Sequence, residues 1–345
     1  MDLMTQREIR DRIKLRESLF NSKDKIITIA GLSKNAGKTS FLNYLIEQYP
    51  YPENLAITTT GHDGEEQDFL TGLKKPKIQL QAGNYFTTIA DVFIKHPSDI
   101  RIIKKLDIYV LGKPLYLAQA LTAIETEIFG GAHKEEQIML SKEIQSLGAN
   151  YVIIDGSLDR KSIALSPEVS AILIVASPLA GDLQTIKQQL NRLYQISKIR
   201  KTELADIDDR FFYYEQNGEI VNTHLQSFFK NENELVSILK NQPDYFYIPS
   251  AVTDHVMKKF KDLIANYEGR LIIKHPLHLM CSDHNLQIFL KANLFCLNNF
   301  PLSAFCLNSY SVENNHLPNN VLMESIQEVF VDIPVIDVQS VISIC

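Results

Sequence analysis

Residues 25 to 40 read KIITIAGLSKNAGKTS, and this stretch decides the fold. The β-branched run over residues 25–30 is typical of a strand that is buried on both faces. Apolar side chains recur at helical spacing over residues 39–46, so a helix follows almost directly. The glycine-rich turn between them presents backbone amides and the positive end of a helix dipole, which together attract phosphate. The stretch therefore predicts an α/β fold with a phosphate-binding loop.

The loop has the residue types that a nucleoside triphosphate needs. Lys38 is predicted to reach the β- and γ-phosphates, and the Thr39 hydroxyl is predicted to bind Mg²⁺. Gly37 is predicted to be glycine because a side chain there would collide with phosphate. The usual pattern has glycine where Leu32 stands, whereas Gly31 lies one residue earlier. The alternative is an ordinary turn between a strand and a helix. The predicted nucleotide-binding residues are Gly31, Ser33, Lys34, Asn35, Ala36, Gly37, Lys38, Thr39 and Ser40.

Acidic residues follow two further apolar runs. The run over residues 151–154 ends in Asp155, the position from which a carboxylate holds the metal of such a site; the alternative is an Asp that only caps a turn. Asp63 and Glu65 follow a second strand predicted over residues 55–60, and they could position Mg²⁺ or attacking water. The alternative there is an exposed acidic turn. The sequence thus predicts Lys38, Asp63 and Asp155 as catalytic, and Thr39, Asp155 and Glu65 as metal ligands.

Short apolar runs alternate with helical patterns along the chain, one of them a helix predicted over residues 112–128. This alternation predicts a mostly parallel sheet with helices on both faces. The predicted organisation is a leading helix over residues 1–23, a nucleotide-binding core over 24–200, and a C-terminal continuation over 201–345 with an insertion near 200–244. In the leading helix, one apolar stripe is predicted to dock on the core: Ile9, Ile13, Leu15 and Leu19.

Composition narrows the classes of partner. The 345 residues carry a formal net charge of -6, which argues against a nucleic-acid groove or an anionic membrane surface. The four cysteines have no Cys-x-x-Cys spacing and are predicted to be reduced, packed thiols. Neither a signal peptide nor a membrane-spanning apolar run is found in the sequence, so the expected location is cytoplasmic.

Several motifs taken together resemble those of a known class. The loop over residues 31–39 resembles those of P-loop proteins such as dethiobiotin synthetase and the molybdopterin-guanine dinucleotide accessory GTPase. The set formed by residues 33–39 (SKNAGKT), 58–68 (TTTGHDGEEQD), 75–78 (KPKI) and 155–160 (DGSLDR) is similar to the P-loop subunit of the reactivating factor for lysine 5,6-aminomutase. The resemblance covers roughly residues 25–180, and it implies the P-loop NTPase fold.

The resemblance also implies a function. It implies an ATPase that works with a second ATPase subunit on an adenosylcobalamin-dependent aminomutase that inactivates itself. A small-molecule kinase or ATP-dependent synthetase of the dethiobiotin-synthetase type is the alternative, and a binding module without turnover is a third. ATP and GTP both remain open as the nucleotide, with Mg²⁺ as the metal. Asn308, at the end of a late apolar run, could recognise a purine base.

Overall fold

The computed structural model describes residues 3–63, 77–156, 163–204, 207–309 and 319–338. The chain divides into two compact units, and each is described by itself below. The first consists of Met1–Leu190 and Pro301–Cys345, and the second of Asn191–Phe300. The predicted boundaries were 24–200 and 201–345. In the structure, Pro301–Cys345 belongs to the first unit, so the second unit is inserted into the first in the sequence.

The described helices are α1 (Leu3–Phe20), α2 (Lys38–Gln48), α3 (Ala90–Lys95), α4 (Lys134–Ser146), α5 (Leu183–Ser197), α6 (Glu232–Lys240), α7 (Asp254–Ala265), α8 (Asp283–Lys291) and α9 (Asn319–Val329).

The described strands are β1 (Lys25–Gly31), β2 (Leu55–Thr59), β3 (His62–Asp63), β4 (Ile78–Leu80), β5 (Tyr85–Ile89), β6 (Ile100–Val110), β7 (Lys113–Ala120), β8 (Ile124–Thr126), β9 (Ile128–Phe129), β10 (Tyr151–Asp155), β11 (Val169–Ala176), β12 (Arg200–Lys201), β13 (Tyr213–Gln216), β14 (Glu219–Asn222), β15 (Tyr245–Ile248), β16 (Val252–Thr253), β17 (Arg270–Ile273), β18 (Leu279–Met280), β19 (Leu294–Cys296), β20 (Leu302–Leu307) and β21 (Val335–Asp337).

The first unit is built on one large sheet with the strand order β21-β20-β11-β1-β10-β2-β5-β7-β6. The strands from β21 to β5 pair in parallel, while β7 runs antiparallel to both β5 and β6. The prediction of an α/β fold is confirmed, but the sheet is mixed. The central strands β1, β10 and β11 are almost continuously buried, and for β1 the β-branched run predicted this burial.

The antiparallel edge replaces the helix predicted over residues 112–128, which is wrong. Leu111 and Gly112 have φ of 52° and 75°, so they form a tight two-residue turn between β6 and β7. Leu115 and Leu117 are then both buried, in the two-residue period of a strand. Pairing with β5 and β6 outweighs the weaker helical pattern in this segment.

The leading helix α1 docks on the large sheet through only two of the four predicted apolar residues, Leu15 and Leu19. Asp11, Leu15 and Leu19 are spaced four residues apart and are buried, whereas Ile9 and Ile13 are exposed. The Asp11 carboxylate accepts a hydrogen bond of 3.3 Å from the backbone of Val335 on β21. The helix is therefore anchored by a buried polar contact as well as by leucines.

The second unit has its own sheet, with the strand order β12-β19-β17-β15-β13-β14. Strands β12, β19, β17 and β15 are parallel, and the hairpin β13–β14 is antiparallel to β15 at one edge. Asn217 and Gly218, with φ of 56° and 81°, form the hairpin turn between β13 and β14. Helix α7 packs its buried apolar face in this unit through Val256, Met257, Phe260 and Ile264.

Candidate functional site

The glycine-rich loop connects β1 to α2 at the carboxyl ends of the parallel strands of the large sheet. Its first glycine, Gly31, is closely packed: a Cβ there would lie 2.9 Å from the Ser33 carbonyl oxygen and 3.2 Å from the Ala36 Cβ. Because backbone and a buried alanine cannot give way, this position requires glycine. The next residue, Leu32, donates its backbone N–H to the Val175 carbonyl at 2.9 Å. The fold thus places the obligatory glycine one residue earlier than the usual pattern.

Lys38 is the first residue of α2 and folds back over the loop. Its Cδ lies 3.4 Å from the position that a Cβ on Gly31 would occupy, so the side chain crosses the loop toward its beginning. The side chain is half-buried, and among the residues that the structure describes it takes part in no ion pair. The Lys38 side chain therefore lies next to the start of the loop, where its charge could neutralise a bound anion.

Gly37 caps the N-terminus of α2 in the left-handed region, with φ of 95°. A Cβ at Gly37 would lie 2.2 Å from Nδ2 of Asn308. The prediction attributed this glycine to room for phosphate, whereas the structure shows that Asn308 already fills the space. Asn308 follows β20 and is held by a 2.9 Å bond from its N–H to the Ala176 carbonyl. The loop and a residue some 270 positions later in the sequence therefore meet at one point.

Two hydroxyl groups beside the loop have no hydrogen-bond partner within the described ranges. They are the buried Oγ atoms of Ser33, in the loop itself, and of Ser177, directly after β11. Ser177 is fully buried. A buried hydroxyl without a partner is costly, so such groups in a folded protein commonly mark a place that a water molecule or a ligand completes. Ser177 was not predicted, since a lone serine after a strand carries no distinctive signal.

Asp155 ends β10, the strand directly next to β1. It pairs with Ile29 on β1 and with Thr59 on β2, and it is fully buried. Its backbone carbonyl accepts hydrogen bonds from the Thr59 hydroxyl at 3.1 Å and from the Thr60 N–H at 3.0 Å. A carboxylate at such a position needs cations or donors close by. The structure therefore brings Asp155 to the same sheet edge as the loop.

The remaining predicted residues divide into three groups. Thr39 and Ser40 lie half-buried in the first turn of α2, while in the loop Lys34 is exposed, Asn35 is in the left-handed region and Ala36 is buried. Asp63 is in the short strand β3, just beyond the end of β2, and its backbone pairs with Ile128. Glu65 and residues 157–160 lie outside the described residues.

Residues 128–137 also reach this edge, and the sequence reasoning missed them. A Cβ on Gly130 would lie 1.9 Å from the Thr59 carbonyl oxygen, so β2 and Gly130 are in direct contact. The buried side chain of Gln137, on α4, bonds to the same carbonyl. The adjacent glycines Gly130 and Gly131 were the available signal, because paired glycines often mark close backbone contact.

Three negative findings complete the description. Within the described ranges, no three His, Cys, Asp or Glu side chains are grouped as a ready-made metal site. No helix in the described part of the chain has the length and apolar character needed to cross a membrane. In the comparisons with known proteins, the chain matches no family model, no curated protein and no solved structure.

Proposed function

We propose that this chain is a magnesium-dependent nucleoside triphosphatase with the P-loop fold. One observation carries the proposal: the Lys38 side chain folds back over a loop that has glycine at two positions where a side chain would not fit, Gly31 and Gly37. A loop of this kind between a buried parallel strand and a helix binds phosphate through its backbone amides. The orphan hydroxyl groups of Ser33 and Ser177 also support a ligand at this place.

Each residue then has a definite task. The first amides of α2 would bind phosphate oxygens, since the N-cap residue Gly37 has no side chain that could cap them. Lys38 would neutralise charge on the β- and γ-phosphates, and Thr39 would bind Mg²⁺ directly. Asp155 would complete the metal site through its carboxylate or an intervening water, because Mg²⁺ usually retains waters and takes only one or two carboxylates. When bound, Mg²⁺ supplies charge neutralisation at the phosphates.

Asn308 is the proposed contact for the base. Its buried side chain lies against Gly37 at the start of α2, so it is beside the phosphate loop. An amide can pair with adenine as well as with guanine, since it has both donor and acceptor groups. ATP and GTP therefore both stay candidate nucleotides.

The biological role proposed here follows the resemblance to the aminomutase reactivating factor. Nucleotide binding and hydrolysis would reactivate an adenosylcobalamin-dependent aminomutase, together with a second ATPase subunit. The test is to inactivate purified lysine 5,6-aminomutase by turnover and to add this chain, its partner subunit, ATP, Mg²⁺ and fresh adenosylcobalamin. Recovery of activity only when all are present is the expected result, and equal recovery without this chain would contradict the role.

Replacing Lys38 by alanine tests the nucleotide site. Calorimetric titration with ATP and with GTP, each with Mg²⁺, should give a loss of at least about 100-fold in affinity, because the charge facing the phosphates is removed. The matched control is Lys23→Ala, since Lys23 is exposed and precedes β1, outside the loop. Unchanged affinity in Lys38→Ala would refute the site.

A further inference from the structure

Gln137, on α4, is a buried side chain that bonds to two backbone segments near the proposed site. It is fully buried, and its Nε2 donates to two backbone carbonyls at 2.6 Å each, those of Thr59 and Gly131. Its Oε1 is also buried and has no hydrogen-bond partner within the described ranges. Both bonded groups are acceptors, so the amide must present its nitrogen to them. Glutamine is required because one NH₂ group serves two carbonyls.

These bonds fasten a short two-stranded ribbon, formed by β3 and β9, to the large sheet. On one side of the ribbon, the Gly130 N–H donates to the Gly61 carbonyl at 2.8 Å, and Gly131 is bonded to Gln137. On the other side, the Thr87 hydroxyl of β5 donates to the Phe129 carbonyl and is 2.7 Å from the Thr58 hydroxyl. The ribbon is therefore held by the ends of β2 and β5.

The ribbon carries the backbone of Asp63, and β2 lies directly beside Asp155 of β10. Gln137 thus connects three elements: the end of β2, the turn after β9, and the first turns of α4. Nothing in the sequence motif predicts this connection, because Gln137 is far along the chain from the phosphate loop. Its bonds to two backbone segments hold residues 60–63, which lead from β2 into β3.

We propose that Gln137 is a positioning residue for nucleotide hydrolysis. By fixing the ends of β2 and β9, it sets the position of the backbone over residues 60–63 relative to Asp155, and so acts on the hydrolytic step through these residues. Gln137 would not contact the nucleotide. This inference rests on the proposed nucleoside triphosphatase function, and its role is in turnover rather than in nucleotide binding.

The test compares Gln137→Met and Gln137→Glu with the native chain. Methionine preserves length without donors, and glutamate preserves shape but presents a carboxylate to the two carbonyls. Both should lower kcat for Mg²⁺-dependent hydrolysis by about tenfold or more, while nucleotide affinity stays within about threefold. The matched control is Ser141→Ala on the same helix, because the buried Ser141 hydroxyl bonds only to the Gln137 carbonyl one turn earlier. It should keep kcat within about twofold.

Amide hydrogen exchange provides a readout that does not depend on turnover. In Gln137→Met the Gly130 amide, bonded to Gly61, should exchange faster, while amides of the distant strand β20 should not change. If the native chain shows no nucleotide binding, the proposed function fails, and unchanged exchange at Gly130 would separately refute the anchoring by Gln137. Native kcat in both variants, or equal losses of affinity and kcat with general unfolding, would overturn the positioning role.

Discussion

Both units have loops at the carboxyl ends of their parallel strands, but the charged side chains in these loops are arranged differently. In the second unit, Lys274 Nζ lies 3.1 Å from Asp209 Oδ1, and the Tyr247 hydroxyl donates to the Asp209 carbonyl at 3.1 Å. In the first unit, within the ranges that the structure describes, Lys38 has no such partner. A cation already paired by the fold cannot neutralise a ligand without losing that partner.

The comparison indicates that the carboxyl edge of a parallel sheet does not by itself form a binding site. Ligands in open α/β sheets gather beyond the carboxyl ends of strands, yet both units offer that edge. The first unit differs in its loop, which has Gly31 and Gly37 where side chains would not fit, and in Lys38, whose side chain lies over that loop. Four predictions test this difference between the two units, and they are given in decreasing order of expected effect.

The largest effect is expected for Gly37→Ala. A side chain there meets Asn308 and must also adopt a φ of 95°, a left-handed conformation that costs about 1 to 2 kcal/mol. Nucleotide affinity should fall by about 100-fold or more because the loop must move. The control is Gly148→Ala, which has a φ of 110° but no atom within 4 Å of the new Cβ. Equal affinities for both variants, measured by titration calorimetry, would mean that the contact with Asn308 is unimportant.

Asp155→Asn should act on the metal-dependent step. Losing the charge should lower Mg²⁺-dependent hydrolysis by about 10- to 100-fold, whereas nucleotide binding without Mg²⁺ should change by no more than about threefold. Asp209→Asn is the matched control in the second unit, since its carboxylate bonds to Lys274 instead. A hydrolysis rate that is equal in Asp155→Asn and the native chain would remove Asp155 from the metal site.

The third prediction concerns pH and the second unit. Burial, and to a lesser extent the charge of Lys274, lower the pKa of His278 from 6.5 to about 4. The unfolded chain therefore binds a proton at a higher pH than the folded one does, so stability is complete above about pH 6.5 and is lost as pH falls toward 4. Between about pH 7 and pH 5, urea unfolding should show a loss of roughly 1 to 2 kcal/mol from this group.

Two variants check the origin of that loss. His278→Gln should reduce the difference in unfolding free energy between the two pH values, because it removes the titrating ring. His284→Gln replaces an exposed histidine of the same unit and should preserve the difference. If the difference were the same in the native chain and His278→Gln, another group would be responsible for the acid sensitivity.

The smallest effect is expected for Lys274→Met. The Lys274 side chain is 29% exposed and that of Asp209 is 43% exposed, so water screens their ion pair. Its loss should destabilise the chain by no more than about 1 kcal/mol, seen as a small shift of the urea midpoint. Nucleotide affinity should remain unchanged. A loss of affinity comparable with that of Lys38→Ala would contradict the distinction between the two sheet edges.

Local patterns predicted much of the first unit because they report burial directly. The apolar runs predicted β1, β2 and β10, and the loop was predicted between β1 and α2. Three cysteines, Cys281, Cys296 and Cys306, are buried free thiols, as expected, and burial raises the pKa of Cys296 to about 11. The helix predicted over residues 112–128 failed, because pairing with distant strands decided its conformation.

The sequence alone determined the α/β class, the strand–loop–helix order around Lys38, and the set of candidate phosphate contacts, since these follow from residue types close together in the chain. Only the tertiary structure decided that Asn308 packs on Gly37, that Gln137 holds the end of β2, and that residues after 300 complete the first sheet. Contacts between residues far apart in sequence depend on how strands are ordered in the sheet. No local pattern contains that order.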